Sequence, residues 1–295
     1  MRDNRFYAEE LPLAIYDSKP IPCGDTPGYE AHILTSERDS TMAFWALKSF
    51  YYYLDERPRL VVHDDGSLAE ETVLRFYDHF PGCTVVRGDL ADTDPRLRES
   101  LRLLPMCELW RFKCDAPLAR KLFDFPCLSA EPFIVGIDSD VLFFGKPIEI
   151  LECSRGLTAF MSCDFQEAYE FGAATVQTAG QDFELVPRLN SGLFGLRREA
   201  FDFNLVERLL ESWLDASPAR RFQYWKPWLE QTMMACLFSK SSDRRVLDLF
   251  KYQISSMLVS DQTISQHFVK DGSRSAFYHW GLRKLHDGGF LKAVS

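Results

Sequence analysis

The sequence predicts an α/β fold with a central, mainly parallel mixed sheet flanked by helices. Three observations lead there. Short apolar runs alternate with helix-periodic segments through the first half of the chain, the pattern of strand–helix–strand units. Pro132 to Phe144, PFIVGIDSDVLFF, opens with the continuous apolar character of a strand covered on both faces. The 295 residues are 46% hydrophobic and 14% aromatic, enough to bury the large core of one such domain.

Residues 1–30 hold Pro12, Pro20, Pro22 and Pro27 with Gly24 and Gly28, which suits an extended arm lying on a single domain of residues 31–295. HILT from residue 32 reads as a strand. Ser40 can cap the helix after it, where Ala43, Leu47, Phe50, Tyr51 and Leu54 recur at helical spacing. RLVVHDDG is a second strand, and Ser67 with Glu70 forms a capping box for a helix to about Phe80. A third strand spans Cys83 to Val86, followed by a helical region broken at Pro105. In the second half, residues 157–165 read as a strand ending at Asp164, and the next twenty or so as loop. Gly192 to Leu196 is a strand, Phe201 to Trp213 a helix, and a further helix begins near Pro227. The tail, SAFYHWGLRKLHDGGF, has a strand-like start and a Gly-rich end.

The charge and cysteine patterns narrow the function. A net charge of -9 gives no broad basic footprint for nucleic acid or an anionic membrane. The eight cysteines never occur as C-x-x-C and read as reduced core thiols, and no stretch approaches the roughly 18 apolar residues of a membrane span, so a cytoplasmic protein is expected.

Asp138, Ser139 and Asp140 interrupt the apolar run. Alternation along a strand turns both acids to one side, where a single cation can meet them. Carboxylate oxygens suit hard divalent ions, and Mn²⁺ or Mg²⁺ in such an open site is commonly shared with substrate phosphates. Asp and Ser are also ordinary turn residues, so a turn cap is the plain alternative. Ligands of parallel sheets bind beyond the strand carboxyl ends. That rule brings Ser36 and Asp64 to the same crevice, either to contact a base and ribose or simply to cap helices.

Together these motifs resemble the nucleotide-sugar glycosyltransferases of the GT-A fold, a Rossmann-like arrangement, and most closely family 8, which includes glycogenin and bacterial lipooligosaccharide galactosyltransferases. The motifs run in that family's order from about residue 31 to 286: a helix Lys in WRFKCDAPLA, the D-x-D of Asp138-Ser139-Asp140, Asn190-Ser191-Gly192, Glu230-Gln231 and a late His-Gly-Lys cluster in YHWGLRK. The resemblance implies a nucleotide-binding half over residues 31–150. Residues 151–295 are then an acceptor-binding half closed by a metal and phosphate segment. It implies that Asp138, Asp140 and His279 hold Mn²⁺ or Mg²⁺, and that Lys113, Ser139, Gly192, Gly281 and Lys284 join Ser36 and Asp64 around the donor. Asn190, Glu230 and Gln231 stand at the anomeric carbon, with Glu230 where the family has Asp. The spacing from His279 to Gly281 is one residue shorter than the family's. Arg111 and Arg120, near Lys113, read as an exposed charged face. Asp164 is placed to meet a sugar hydroxyl or to cap, and Trp225 and Trp228 to face an acceptor sugar or to fill the core.

The expected activity is thus metal-dependent transfer of a hexose from a nucleoside diphosphate sugar, UDP-hexose foremost, to a hydroxyl of a sugar or other acceptor. Family 8 implies retention at the anomeric centre. Two rivals stand beside it: a phosphatase of the haloacid dehalogenase type, which also places D-x-D after an apolar strand, and a non-catalytic nucleotide-sugar binder.

Overall fold

The computed structural model describes residues 6–24, 26–215, 228–254, 260–269 and 271–295. Seven strands form the main sheet: β1 (Thr26–Thr35), β2 (Pro58–Asp64), β3 (Thr84–Val86), β4 (Phe133–Ile137), β6 (Ala159–Cys163), β7 (Leu189–Arg197) and β8 (Arg244–Val246). Their order is β3-β2-β1-β4-β7-β6-β8. Only β7 runs against the rest, since it pairs antiparallel with both β4 and β6 while the other pairings are parallel. A second sheet joins β5 (Val141–Phe143), β10 (Ser265–His267) and β9 (Tyr252–Ile254) in the order β5-β10-β9.

The helices α1 (Ser40–Tyr52), α2 (Glu70–His79), α3 (Gly88–Thr93), α4 (Pro95–Leu101), α5 (Pro105–Lys113) and α6 (Ala119–Leu128) lie between β1 and β4. After β5 come α7 (Ile148–Gly156), α8 (Ala173–Thr178), α9 (Phe203–Asp215) and α10 (Trp228–Lys240), and the tail holds α11 (Asp271–Ala276), α12 (Arg283–Asp287) and α13 (Phe290–Val294).

Alternation on β4 divides the core into two layers. Phe133, Val135 and Ile137 join Ala31, Ile33, Phe44 and Phe50 on one face of the sheet. Ile134 joins Phe194, Leu196, Phe125 and the α9 and α10 residues Leu205, Leu209 and Met233 on the other. Burial of each such side chain is worth about 1.5–3 kcal/mol, so the two layers together hold β4 as the central strand.

Several local expectations are corrected. Residues 6–17 wind into short helical turns instead of an extended arm, with Leu11 and Ile15 buried against the core. The helix at Glu70 has no Ser67–Glu70 box; Glu37 reaches across from the preceding crossover and accepts from the Ala69 N–H at 2.9 Å and from Thr72 Oγ1. Ser40 donates to the Glu37 carbonyl and lies inside α1 rather than capping it. The segment read as loop after Asp164 contains α8, and the strand-like tail is helical throughout Phe277–Asp287, beginning with a π-helical turn. Arg111 and Arg120 are not a solvated face: Arg111 is buried, forks onto Asp124 and reaches Asp92 at 2.9 Å, with Arg120 alongside. Pro227 lies outside the described residues.

Candidate active site

Strand β4 ends at Ile137, and residues 138–140 form the turn into β5. The two acids therefore stand where one sheet gives way to the other, in a turn and not on a continuous strand. Asp138 N–H donates to the Gly192 carbonyl at 2.8 Å and Val141 N–H to the Asp138 carbonyl at 3.2 Å, which fixes the turn to β7. β10 then pairs antiparallel with β5, His267 opposite Val141, and Phe268 N–H donates to the Asp140 carbonyl.

That pairing brings His267 to the acids. Its Nε2 is 2.9 Å from Asp140 Oδ1 and 3.7 Å from Asp138 Oδ2. One ligand atom from each of Asp138, Asp140 and His267 lies within 4.8 Å of the others, and this is the group among the described residues with the composition and spacing to hold a metal. His279 is elsewhere, half-buried in the π-helical turn Phe277–Leu282. The imidazole beside the acids is His267, because β10, and not the tail, pairs with β5. Burial disfavours the His267 cation, yet the carboxylates of Asp140 and Asp138 outweigh it and hold the imidazole's pKa above its ordinary value.

The neighbouring cation is Lys121, not Lys113. Lys121 projects from the first turn of α6, fully buried, with Nζ 2.8 Å from Asp138 Oδ1, 3.1 Å from the Ser191 carbonyl and 3.6 Å from Glu230 Oε1. Lys113 is exposed at the end of α5. Desolvation works against the Lys121 ammonium, and Asp138 and Glu230 overcome it, so its pKa is raised and the charge is kept. Glu230, at the start of α10, takes a hydrogen bond from Ser191 Oγ at 2.8 Å, while its Oε1 accepts none among the described residues. Burial is the main cause that pushes its carboxyl up to about 7. Gln231 is held from both ends, accepting from Ser191 N–H and donating to the Ala168 carbonyl at 2.8 Å.

On β7, Asn190 Oδ1 accepts from Gly192 N–H at 2.9 Å and lies 3.0 Å from His267 Nδ1. A Cβ on Gly192 would come within 2.1 Å of the His267 ring, so only glycine leaves room for it. These groups line a cavity of about 720 Å³, with Phe165, Trp228 and Leu118 exposed at its mouth. Trp228 is thus surface and not core, Trp225 lies outside the described residues, and Asp164 lines the cavity while its Oδ1 accepts from Phe165 N–H at 2.6 Å. A larger hollow of about 840 Å³ lies at the other end of β7, among Arg197, Phe201, Lys240 and Asp243, and brings no three metal-ligating side chains together among the described residues.

The remaining residues stand apart from the cavity lining. Ser36 accepts from Asp39 N–H and caps a short turn after β1. Asp64 is buried and orders the loop after β2, accepting from Gly66 and Leu68 N–H and pairing with Arg87 at 3.3 Å. Ser139 sits half-buried in the turn between the acids. Gly281 packs on the core, where a Cβ would meet Leu142 at 2.6 Å and Phe268 at 2.8 Å, and Lys284 pairs with Asp261 at 2.9 Å.

No protein-family model and no curated protein matches the sequence. Solved structures do. The apo form of mouse xyloside xylosyltransferase 1 superposes with a TM-score of 0.51 at 14% identity, covering 86% of this chain and 99% of that one. The apo bifunctional glycosyltransferase WbbM superposes at 0.55 and 14% identity over 83% of this chain, which spans 46% of WbbM. These likenesses establish the fold: the chain has the GT-A arrangement that its strand–helix pattern and motif order lead one to expect.

Proposed function

We propose that the protein is a metal-dependent glycosyltransferase that moves a hexose from a nucleoside diphosphate sugar, UDP-hexose foremost, to a hydroxyl of a sugar or other acceptor, with retention. One observation carries the reading: Asp138, Asp140 and His267 converge on the cavity at the carboxyl end of β4, which is where parallel sheets bind ligands. Two carboxylates and an imidazole make a donor set suited to Mn²⁺, or to Mg²⁺ with fewer protein ligands. A divalent ion held there supplies positive charge to the departing diphosphate.

The chain's own residues supply the rest. Lys121 keeps its charge beside Asp138 and faces the same developing anion. Glu230, which titrates near neutrality, can accept or give a hydrogen bond at a sugar hydroxyl, and Gln231, fixed at both ends, presents an amide of set orientation beside it. Asn190, Ser191 and Gly192 form the wall of the donor pocket, and Ser36 and Asp64 mark the loops that take ribose and base. The exposed faces of Trp228 and Phe165 suit an acceptor sugar ring. All eight cysteines are free thiols, which suits a cytoplasmic setting; no helix among the described residues is long and apolar enough to cross a membrane.

The test is donor binding and turnover. UDP-sugar hydrolysis that requires Mn²⁺, with no turnover of p-nitrophenyl phosphate, is the expected result. Asp140→Asn should abolish Mn²⁺-dependent donor binding in calorimetry and leave the melting temperature near wild type. Unchanged donor affinity in that variant refutes the assignment.

A further inference from the structure

We infer that Asn190 is a positioning residue: its side-chain oxygen holds a hydrogen on His267 Nδ1, so that Nε2, the nitrogen facing Asp138 and Asp140, is the one that would bind a cation. The inference rests on the proposed cation site and gives Asn190 a task separate from contact with the donor sugar.

The hydrogen-bond bookkeeping leaves one solution. Gly192 N–H must be met by an acceptor, so the Asn190 atom 2.9 Å away is the carbonyl oxygen and not the amide nitrogen. That same oxygen lies 3.0 Å from His267 Nδ1. Oxygen cannot donate, so Nδ1 carries the hydrogen. Nε2 faces Asp140 at 2.9 Å and Asp138 at 3.7 Å and meets them through a hydrogen of its own while no cation is bound; in the neutral imidazole, which has one N–H, it would be the ligating atom.

The surroundings allow little else. Asn190 and His267 are both buried, so water does not readily replace the amide oxygen. Ser162 Oγ donates to the Asn190 backbone carbonyl at 3.1 Å, holding this stretch of β7 to β6. The bare Cα of Gly192 lies under the ring and admits no side chain. With a divalent ion bound, Nε2 would be the ligating atom, its proton released to solvent, and the hydrogen on Nδ1 would remain bonded to Asn190 Oδ1. The Asn-x-Gly of this strand therefore does two things for one histidine: the amide orients it and the glycine makes room for it.

The measurement is Mn²⁺ affinity of the purified full chain without nucleotide, by calorimetry. Asn190→Leu should weaken binding about 10–100-fold, the usual cost of removing the hydrogen-bond partner of a metal-bound histidine. Asn190→Asp, which keeps an acceptor for both N–H groups, should restore affinity to near wild type while it lowers affinity for a UDP-sugar through the lost NH₂. In a His267→Ala background, Asn190→Leu should add little further loss, because the two residues act as one unit. An unchanged Mn²⁺ affinity in Asn190→Leu, alongside a clear loss in His267→Ala, overturns the inference and leaves the cation site standing. Failure of the wild-type chain to bind Mn²⁺ overturns the functional reading as well. If Asn190→Leu does not fold, the ¹⁵N spectrum of the His267 side chain in Zn²⁺-loaded wild type decides. A protonated Nδ1 with a metallated Nε2 upholds the inference, and the reverse assignment refutes it.

Discussion

Glu230 shows how far burial can carry a single group. Its carboxyl is enclosed beside Lys121 and Ser191, and because desolvation outweighs the attraction of the ammonium its pKa rises from the ordinary 4.5 to about 7. The sign follows directly. A folded-state value above the unfolded one contributes stability that is complete below about pH 4.5 and lost as pH rises through 7. Glu230→Gln should therefore stabilise the fold at pH 8 relative to pH 5, by about 3 kcal/mol at most. Denaturant melts at the two pH values will show it, and a pH-independent effect contradicts the burial argument. The acids at 138 and 140 are readable in the sequence because charge inside an apolar run stands out. Lys121 and His267 are not. Lys121 is one of several cations on neighbouring helices, and only the packing of α6 under Asp138 distinguishes it. His267 belongs to a three-residue strand with no periodicity to mark it.

Among the elements, the tail departs furthest from expectation. YHWGLRK carries aromatic and glycine residues that suggest a strand and a phosphate loop, yet it forms the π-helical turn and α12. What selects the helix is tertiary packing: Phe277 and Leu282 are buried, and Gly281 sits flush against Leu142 of β5 and Phe268. Since Leu142 follows the acids and Phe268 follows His267, this turn backs the small sheet on which the site rests. Gly281→Ala should cost about 1–3 kcal/mol by overpacking and weaken Mn²⁺ binding without touching a ligand. Thermal melts and metal titration of the variant check both halves, and wild-type values in each would remove the tail's supporting role. By contrast β1, β2, β4 and β7 are legible, because buried central strands must be apolar wherever they occur.

The whole molecule carries a further buried polar cluster, on β1 and β2. Glu30, His32 and His63 run across β1 and β2, with Glu30 Oε2 3.4 Å from His32 and His32 Nδ1 3.0 Å from His63 Nε2, and Phe125 packed on both rings. Burial holds both imidazoles below their ordinary pKa, whereas His32 beside it and hydrogen bonds from Ser129 Oγ at 2.6 Å and Ala130 N–H at 2.9 Å overcome burial at Glu30 and bring its carboxyl down to about 2. All three depressed values mean that the unfolded chain binds more protons as pH falls. The stability these three groups contribute should thus decline from about pH 6.5 downward and further below pH 4.5, against the opposite trend from Glu230 between about pH 4.5 and 7. His63→Phe should flatten the first part of that decline in a series of melts against pH, and an identical acid limb would assign it to other groups.

The three proposed metal ligands come from segments that meet only when β10 closes onto β5. A chain emerging from the ribosome would thus present Asp138 and Asp140 long before the histidine that completes them, and the main sheet could be in place with no competent centre. Capture of an ion there would then mark the end of maturation.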